Sequence, residues 1–305
     1  MFKNKELKVV SYGEVLFDVF GNDRKIGGAP LNLALRTRSF GFPVAMISAI
    51  GKDEDGKVIS DYMQKNGLDI SGIIETEDFD TGVVQVFVND RGSATYEITF
   101  PSAWDYITVT EEMKSLVKNS DVFFYGSLVC RNAHSKETLY HLLDDAKDSF
   151  KVFDVNLRAP HYQLPVLEEL MKKADFIKFN DEEILEISED LGFKSDDLAE
   201  NMKFIAEKTS TQGICVTRGK HGSLLLWEGK IYDHIGYPVK VADTVGAGDS
   251  YLASLVSKLL SNGDADEALD FASAVGAIVA THHGANPTIS DDDISDFIKT
   301  YSTIA

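Results

Sequence analysis

The sequence predicts an α/β protein in which a mostly parallel sheet is covered by helices on both faces. Two observations predict this class. Short apolar runs alternate with helix-like segments along most of the chain, which is the pattern of βαβ units. The chain also has 305 residues, of which 44% are hydrophobic and 26% charged. That length and composition suit a soluble protein with a large core and exclude a small disulfide-stapled scaffold.

The elements follow in order along the chain. Core strands are predicted at residues 7–12, 44–50, 122–125, 152–155, 176–179 and 213–217. Helices are predicted between them, at residues 31–38, 57–66, 137–146, 164–173 and 198–209. The C-terminal third is helical, with helices at 250–260 and 265–281 and a last one opened by Ser290. The acids at 291–293 are interpreted as partners of that helix's dipole and not as metal ligands.

Two stretches break the alternation of strands and helices. Residues 15–20 and 81–100 read as strands with no helix between them, and the second contains a hairpin signal at 90–92. Such strands do not fit inside a parallel α/β layer. We therefore expect a single α/β domain with a small accessory sheet, inserted at about residues 15–27 and 80–104. This sheet is either a lid over the ligand end of the main sheet or an edge decoration.

Composition excludes several classes of function. The chain has 30 Lys and Arg against 49 Asp and Glu, a formal net charge of −19, which disfavours binding to nucleic acid or to an anionic membrane. Cys130 and Cys215 are far apart in apolar runs and form no metal motif, which indicates a reducing compartment. No apolar leader or membrane-spanning stretch is present in the sequence. We expect a soluble, cytoplasmic protein.

The most informative segment is residues 243–250, DTVGAGDS, which leads directly into a predicted helix. Gly246, Ala247 and Gly248 have almost no side chain, so their amides are open to a ligand at a helix N-terminus, where anions bind. Asp249 follows in the same turn. It is either a capping carboxylate or a base that accepts a proton from a hydroxyl attacking a phosphoryl group. The chain has no GxxxxGK[ST] loop and no GxGxxG fingerprint.

Polar residues also cluster at the end of the strand predicted at 152–155. Asp154, Asn156 and Arg158 occupy alternate positions, so an extended chain points all three to one face. The carboxyl end of a parallel strand is where α/β proteins bind ligands. An exposed edge strand is the alternative, which the apolar neighbours disfavour.

Two more motifs follow the next predicted strands. Asn180 and Glu183 form either a capping box or a pair that holds hydrated Mg²⁺ near phosphates. Thr217 and Gly219 lie in a segment that either contacts the phosphates of a nucleotide or links a β-hairpin.

A second glycine-rich element, GGAPLN, occupies residues 27–32. Its small residues permit close backbone approach, and Asn32 lies one turn inside the following helix, where its amide can bond a polar ligand. A simple turn with Pro30 near the first helical position is the alternative.

Taken together, these residues resemble the ribokinase-like (PfkB) family of carbohydrate kinases. The motifs occur in the family's order: GGAPLN at 27–32 with downstream GFP and IGKDEDG, DVNLR at 154–158, NDEE at 180–183, TRGKHG at 217–222 and DTVGAGD at 243–249. The resemblance covers nearly the whole chain. It implies a three-layer α/β/α sandwich with a β lid, and transfer of a γ-phosphoryl group from ATP to a sugar alcohol with Mg²⁺.

The resemblance also implies a role for each motif residue. Asp249 is expected to be the catalytic base, Arg158 to lie near the transferred phosphoryl group, and the amides of Gly246, Ala247 and Gly248 to form the anion hole. Asn180 and Glu183 are expected to organise Mg²⁺ and phosphate, Thr217 and Gly219 to contact ATP, and Asp18, Gly28 and Asn32 to bind sugar hydroxyls. Some family members also need a monovalent cation, such as K⁺, near the Asp243 loop.

Within the family, EVLFDVF at residues 14–20 and GGAPLNLA at 27–34 look most like fructokinases. Asp18 lies in an otherwise apolar strand, where a carboxylate needs a hydrogen-bonding partner. A 2-keto-3-deoxygluconate kinase or another sugar kinase is the alternative, and a catalytically inactive relative that binds sugar or nucleotide is the alternative from another class. Pairing of lid strands between subunits is expected to give a homodimer.

Overall fold

The computed structural model describes residues 7–88 and 94–302, so the hairpin turn predicted at 90–92 lies outside the described residues. The chain divides into two compact units. Lys8–Ser149 forms the N-terminal unit, and the described residues outside that range form the C-terminal unit. In each unit, helices alternate with parallel strands.

The N-terminal unit contains eight of the described strands. In chain order its elements are β1 (Val9–Tyr12), β2 (Leu16–Phe20), β3 (Asp23–Gly27), α1 (Ala29–Ser39), β4 (Val44–Gly51), α2 (Glu54–Lys65), β5 (Asp69–Thr76), β6 (Gly82–Val88), β7 (Ala94–Ile98), α3 (Glu111–Lys118), β8 (Val122–Gly126) and α4 (Ala133–Asp145). Its parallel strands lie in the order β8-β1-β4-β5. Every residue of β1 and β4 is buried, as their apolar runs predict.

A second, four-stranded sheet in this unit has the order β3-β2-β6-β7. Strand β2 pairs antiparallel with β3 and parallel with β6, and β6 pairs antiparallel with β7. Leu16, Val84 and Val86 form a buried cluster in this sheet, with Phe20 and Ile98 packed against it. The prediction of a small sheet apart from the main one is confirmed.

The C-terminal unit has five strands among its described residues. Its elements are β9 (Phe150–Asp154), α5 (Leu164–Lys173), β10 (Phe176–Asn180), α6 (Asp181–Asp190), α7 (Leu198–Thr209), β11 (Gly213–Thr217), β12 (Ser223–Trp227), β13 (Lys230–His234), α8 (Ala247–Asn262), α9 (Ala265–Ala280) and α10 (Asp291–Ser302). Strands β9, β10 and β11 are parallel, and β11, β12 and β13 are antiparallel. Residues 217–223 therefore link a hairpin, which confirms that alternative for this segment.

The predicted α/β class, with a mostly parallel arrangement and a small second sheet, is confirmed. At α10, Ser290 and Asp293 exchange hydrogen bonds through side chain and backbone, so the acids there belong to a helix cap, as interpreted from the sequence. Within residues 7–88 and 94–302, no helix is both long and apolar enough to cross a membrane.

Candidate active site

The N-terminus of α8 is the centre of the candidate site. Gly246 precedes the helix with φ +74° and no side-chain cap. A Cβ on Gly246 would lie 2.5 Å from the Cβ of Ala285, so glycine is required there by both space and backbone angle. The loop is fixed by Asp243, whose carboxylate accepts the amides of Val245 and Gly284, each at 3.0 Å.

Two of the three amides predicted to bind an anion remain open. The amide of Ala247 donates to the carbonyl of Thr244 at 3.2 Å. The amides of Gly246 and Gly248 have no protein acceptor within residues 7–88 and 94–302. Asp249 lies in the first turn of α8 and is half-buried, which leaves its carboxylate reachable by a ligand.

Lys178 on β10 is a functional candidate that the sequence reading missed. The residue is only 6% exposed. Its Nζ lies 3.1 Å from Oδ1 of Asp154, its register partner on β9, and 3.7 Å from the position that a Cβ on Gly248 would take. Burial by itself lowers the pKa of Lys178, but the carboxylates of Asp154, Glu183 and Asp249 outweigh it and raise that pKa above its usual value. The lysine is therefore a buried cation beside the α8 N-terminus.

Asn180 and Glu183 form the predicted capping box at the start of α6. The Asn180 side chain accepts the Glu183 amide at 2.7 Å, and Glu183 Oε2 accepts the Asn180 amide at 2.7 Å. Glu183 Oε1 also accepts the amide of Leu157 at 2.9 Å. The buried carboxylate thus joins the end of β10 to the segment after β9. The capping interpretation is confirmed, and a role in holding metal stays a prediction.

The prediction that Asp154, Asn156 and Arg158 share one strand face is wrong. Strand β9 ends at Asp154, and Asn156 has φ +40°, so the extended geometry does not continue. Asp154 is buried, whereas Arg158 is exposed and donates to the carbonyl of Leu157 at 2.8 Å. Asp154 faces Lys178 because the two are register partners on neighbouring strands, and the extended geometry ends before Arg158. Alternation could not predict this, since a left-handed residue resets the faces.

Thr217 and Gly219 follow the end of the neighbouring strand. Thr217 ends β11 in register with Asn180, and its hydroxyl donates to the carbonyl of Phe179 at 3.3 Å. Gly219 has φ +54° and open space where a Cβ would lie. The carboxyl ends of β9, β10 and β11 thus carry Asp154, Lys178, Asn180 and Thr217, as expected for a ligand edge of an α/β sheet.

The residues predicted to bind sugar lie in the N-terminal unit, at the junction of β3 and α1. Gly28 has φ +110°, and a Cβ there would lie 2.4 Å from the carbonyl oxygen of Glu14. Asn32 is buried, and its backbone amide donates to the Gly28 carbonyl at 2.9 Å. Oδ2 of Asp18 lies 2.3 Å from the position of a Cβ on Gly27. The backbone of Gly27 thus approaches Asp18 closely, and that of Gly28 approaches Glu14, which only glycines allow.

Comparisons with known proteins identify the same family that these motifs resemble. A family model described as "pfkB family carbohydrate kinase" matches residues 3–292. A putative sugar kinase of Pyrococcus horikoshii is 26% identical, with 97% of each chain covered. Probable fructokinase-5 of Arabidopsis thaliana is 29% identical, covering 92% of this chain and 94% of the plant protein.

Solved structures show the same ribokinase-like fold. A fructokinase with bound ATP from Xylella fastidiosa matches with a TM-score of 0.86 and 20% identity, covering 97% of this chain and 99% of that one. A putative ribokinase II from E. coli, in complex with ATP and Mg²⁺, has a TM-score of 0.86 and 22% identity over 96% and 99%. A double-mutant fructokinase from Vibrio cholerae, bound to fructose, ADP and potassium, has a TM-score of 0.83 and 20% identity over 96% and 98%.

Proposed function

The chain belongs to the pfkB family of carbohydrate kinases, and from this premise we propose that it phosphorylates fructose to fructose 6-phosphate with ATP. The observation that carries the catalytic part is the α8 N-terminus. Open amides and a helix dipole there favour an anion, and a reachable carboxylate, Asp249, lies in the same turn. Phosphoryl transfer needs this combination of an anion site and a base.

In the proposed reaction the O6 hydroxyl of the sugar attacks the γ-phosphorus of ATP. A new oxygen–phosphorus bond forms, and the bond from the γ-phosphorus to the bridging oxygen breaks, so that ADP leaves with that electron pair. The hydroxyl proton moves to the carboxylate of Asp249. The open amides of Gly246 and Gly248 stabilise charge on the phosphoryl oxygens. Positioning and charge neutralisation, and no covalent intermediate, supply the rate enhancement.

Magnesium fits the residues present. Mg²⁺ prefers oxygen ligands, and the oxygens of Glu183 and Asn180, which already accept the capping amides and that of Leu157, would hold it through their remaining lone pairs. Oδ2 of Asp154 is buried with no hydrogen-bond partner among the described residues. No group of three or more Asp, Glu, His or Cys side chains that could hold a metal exists among the described residues. Mg²⁺ usually keeps several waters and takes phosphate ligands, so Glu183 and Asn180 would be enough to hold it beside a nucleotide. When bound with ATP, Mg²⁺ neutralises phosphate charge.

The proposal assigns the acceptor to Asp18, Gly28 and Asn32 and the nucleotide to Thr217, Gly219 and Arg158. The fructokinase names of the relatives and the EVLFDVF segment support fructose. The proposed place for K⁺ is the loop at Asp243, whose carboxylate accepts the amides of Val245 and Gly284. A fructokinase of this fold has been solved with potassium. We place the enzyme in the cytoplasm. We expect a homodimer through the strands of the small sheet, which light scattering at working concentration will test.

A panel of acceptors tests the substrate. ADP release is measured with fructose, other ketoses, aldoses, 2-keto-3-deoxygluconate and nucleosides at matched concentrations. Fructose is expected to give the highest kcat/KM. A preference for 2-keto-3-deoxygluconate or another sugar would show that the protein is a kinase of that acceptor and not of fructose. No turnover with any acceptor, alongside measurable ATP binding, would favour an inactive relative.

A further inference from the structure

The Lys178–Asp154 pair is not explained by the roles assigned above. Both side chains are almost fully buried, at 8% and 2% exposure, and the ammonium lies 3.1 Å from Oδ1 of Asp154. Burying an ion pair has a large desolvation cost, and pairs of this kind contribute little to stability compared with well-packed apolar residues. A pair in this position therefore calls for a function beyond packing.

The surroundings of the ammonium show what it faces. An ammonium has three N–H donors, and among the described residues Asp154 is the only one to which the Lys178 ammonium donates a hydrogen bond. The Nζ also lies 3.7 Å from where a Cβ on Gly248 would be, so it lies beside the residue that carries one of the two open amides. A donor with spare N–H groups and an open backbone amide thus converge at the α8 N-terminus.

The carboxylates near Lys178 give its positive charge a role beside that of Mg²⁺. Three carboxylates, those of Asp154, Glu183 and Asp249, act on Lys178. Three negative charges against one positive charge leave two in excess, in a place where a phosphoryl group would add more. Repulsion of this kind is strong where water is excluded. Without Lys178, the three carboxylates would oppose the anion that the amides attract.

We propose that Lys178 binds the transferred phosphoryl group as the cationic side chain of the anion site, and that Asp154 is a positioning residue that holds the ammonium there. This inference rests on the proposed phosphotransferase function. Asp154 fixes the Nζ through one oxygen and so directs the remaining N–H groups toward the ligand. The lysine thereby offsets the carboxylates around it and leaves Asp249 available as the base.

A double variant separates this role from simple charge pairing. Lys178→Met alone leaves Asp154 buried and unpaired, which is destabilising by itself. Lys178→Met with Asp154→Asn removes both charges. The matched control is Lys151→Met with Asp175→Asn, a lysine–aspartate pair joining β9 to the residue before β10, with its charged atoms 3.9 Å apart. Melting temperature, kcat and KM are measured for all of them.

The double variant at residues 178 and 154 is expected to melt near the wild type and to lose about 100-fold or more in kcat, with the KM for sugar little changed. The control pair is expected to keep its kcat. Lys178→Arg is expected to recover part of the lost rate because it keeps the charge. If the folded double variant turns over at the wild-type rate, Lys178 serves only to neutralise Asp154 and the proposal is wrong.

A binding measurement separates this proposal from the proposed function. Calorimetry compares ADP with the β,γ-imido analogue of ATP, with no sugar present. The double variant is expected to bind ADP like the wild type and the analogue about tenfold more weakly, because only the analogue carries a γ-phosphoryl group. This holds even if the wild type phosphorylates no sugar, in which case only the catalytic function fails. Equal loss, or no loss, for both nucleotides would overturn the role of Lys178.

Discussion

The anion site depends on single residues whose backbone and charge the fold fixes. Gly246 is needed for its positive φ and for its contact with Ala285, whereas Gly248 is helical and borders an ammonium at ordinary contact distance. The two glycines look alike in the sequence, but they carry different constraints. Both glycines leave an amide open to a ligand, but only Gly246 is also required by the shape of the turn.

These constraints predict different effects of a methyl group at the two glycines. Gly246→Ala is expected to destabilise the protein by about 1–3 kcal/mol, because the added Cβ meets Ala285 and the backbone angle is unfavourable. Gly248→Ala is the control and is expected to leave the unfolding free energy nearly unchanged. Urea unfolding measures both. An unchanged midpoint for Gly246→Ala would contradict the geometry described for this turn.

The sequence predicted some of these residues and missed others for physical reasons. The open amides and Asp249 were predictable because small residues at the start of a helix leave the first backbone amides accessible to a ligand. Lys178 was missed, although it lies in a strand that the sequence predicts to be part of the core. A lysine in a buried parallel strand is itself a signal, since it must find a carboxylate. The positive φ of Asn156 was missed, although Asn is among the few non-glycine residues that adopt it readily, because the apolar and polar residues around it read as a continuous strand.

At the scale of elements, helix caps connect parts of the site and of each unit. The Glu183 capping box ties α6 to the segment after β9. In the N-terminal unit, Asp53 caps α2 through the Gly56 amide at 2.7 Å and also accepts the amide and hydroxyl of Thr81, at 2.8 and 2.7 Å. Thr81 immediately precedes β6, so one carboxylate holds both the helix and the entry to the small sheet.

Removing that carboxylate should therefore cost more than removing an ordinary cap. Asp53→Ala is expected to lower the unfolding free energy by about 1–2 kcal/mol, because three donors lose their acceptor. Thr110→Ala, which removes the cap of α3 and its single bond to Met113 at 3.2 Å, is the matched control and should cost less. Urea unfolding at neutral pH tests the order of the two. The reverse order would contradict the linking role of Asp53.

The same contacts give a pH dependence. Burial raises the pKa of Asp53, but the hydrogen bonds from Thr81 and Gly56 outweigh it and hold that pKa below its usual 3.8. The folded state therefore binds the proton less readily than the unfolded state, so the stabilisation is present above pH 3.8 and is lost as the pH falls further. The stability difference between wild type and Asp53→Asn is expected to shrink below pH 3.8. A constant difference across that range would disprove the linkage.

Buried strands were more predictable from the sequence than half-exposed strands and loops. Buried parallel strands such as β1 and β4 are continuous apolar runs, which the sequence shows directly. Strand β5 was not predicted, because it is half exposed and its sequence, DISGIIET, has no apolar run. The segment after β11 links β11 to Ser223–Trp227, which pairs antiparallel with it, so the hairpin interpretation is confirmed and the contact with a nucleotide stays a prediction.

At the scale of the whole molecule, the net charge of −19 agrees with a kinase of a neutral sugar. The proposed anion site uses backbone amides and one lysine, so its charge would be set locally and not by the surface. A neutral acceptor meets no repulsion from such a protein, whereas an acidic acceptor such as 2-keto-3-deoxygluconate does. The coarse function, a carbohydrate kinase, rests on motifs that span the chain. The choice of sugar depends on a few residues of the binding site. Whole-chain identities of 26% to the Pyrococcus sugar kinase and 29% to the Arabidopsis fructokinase support fructose as the acceptor but do not establish it.

The most direct test of the account is the turnover of Asp249→Asn with the preferred sugar, measured as ADP release beside ATP affinity and melting temperature. Asp264→Asn is the control, since Asp264 caps α9 through the Glu267 amide at 2.8 Å. The account predicts that Asp249→Asn lowers kcat by about 10²- to 10⁴-fold and leaves ATP affinity within a few-fold, while the control keeps its rate. Near-normal turnover in folded Asp249→Asn would contradict the assignment of Asp249 as the base.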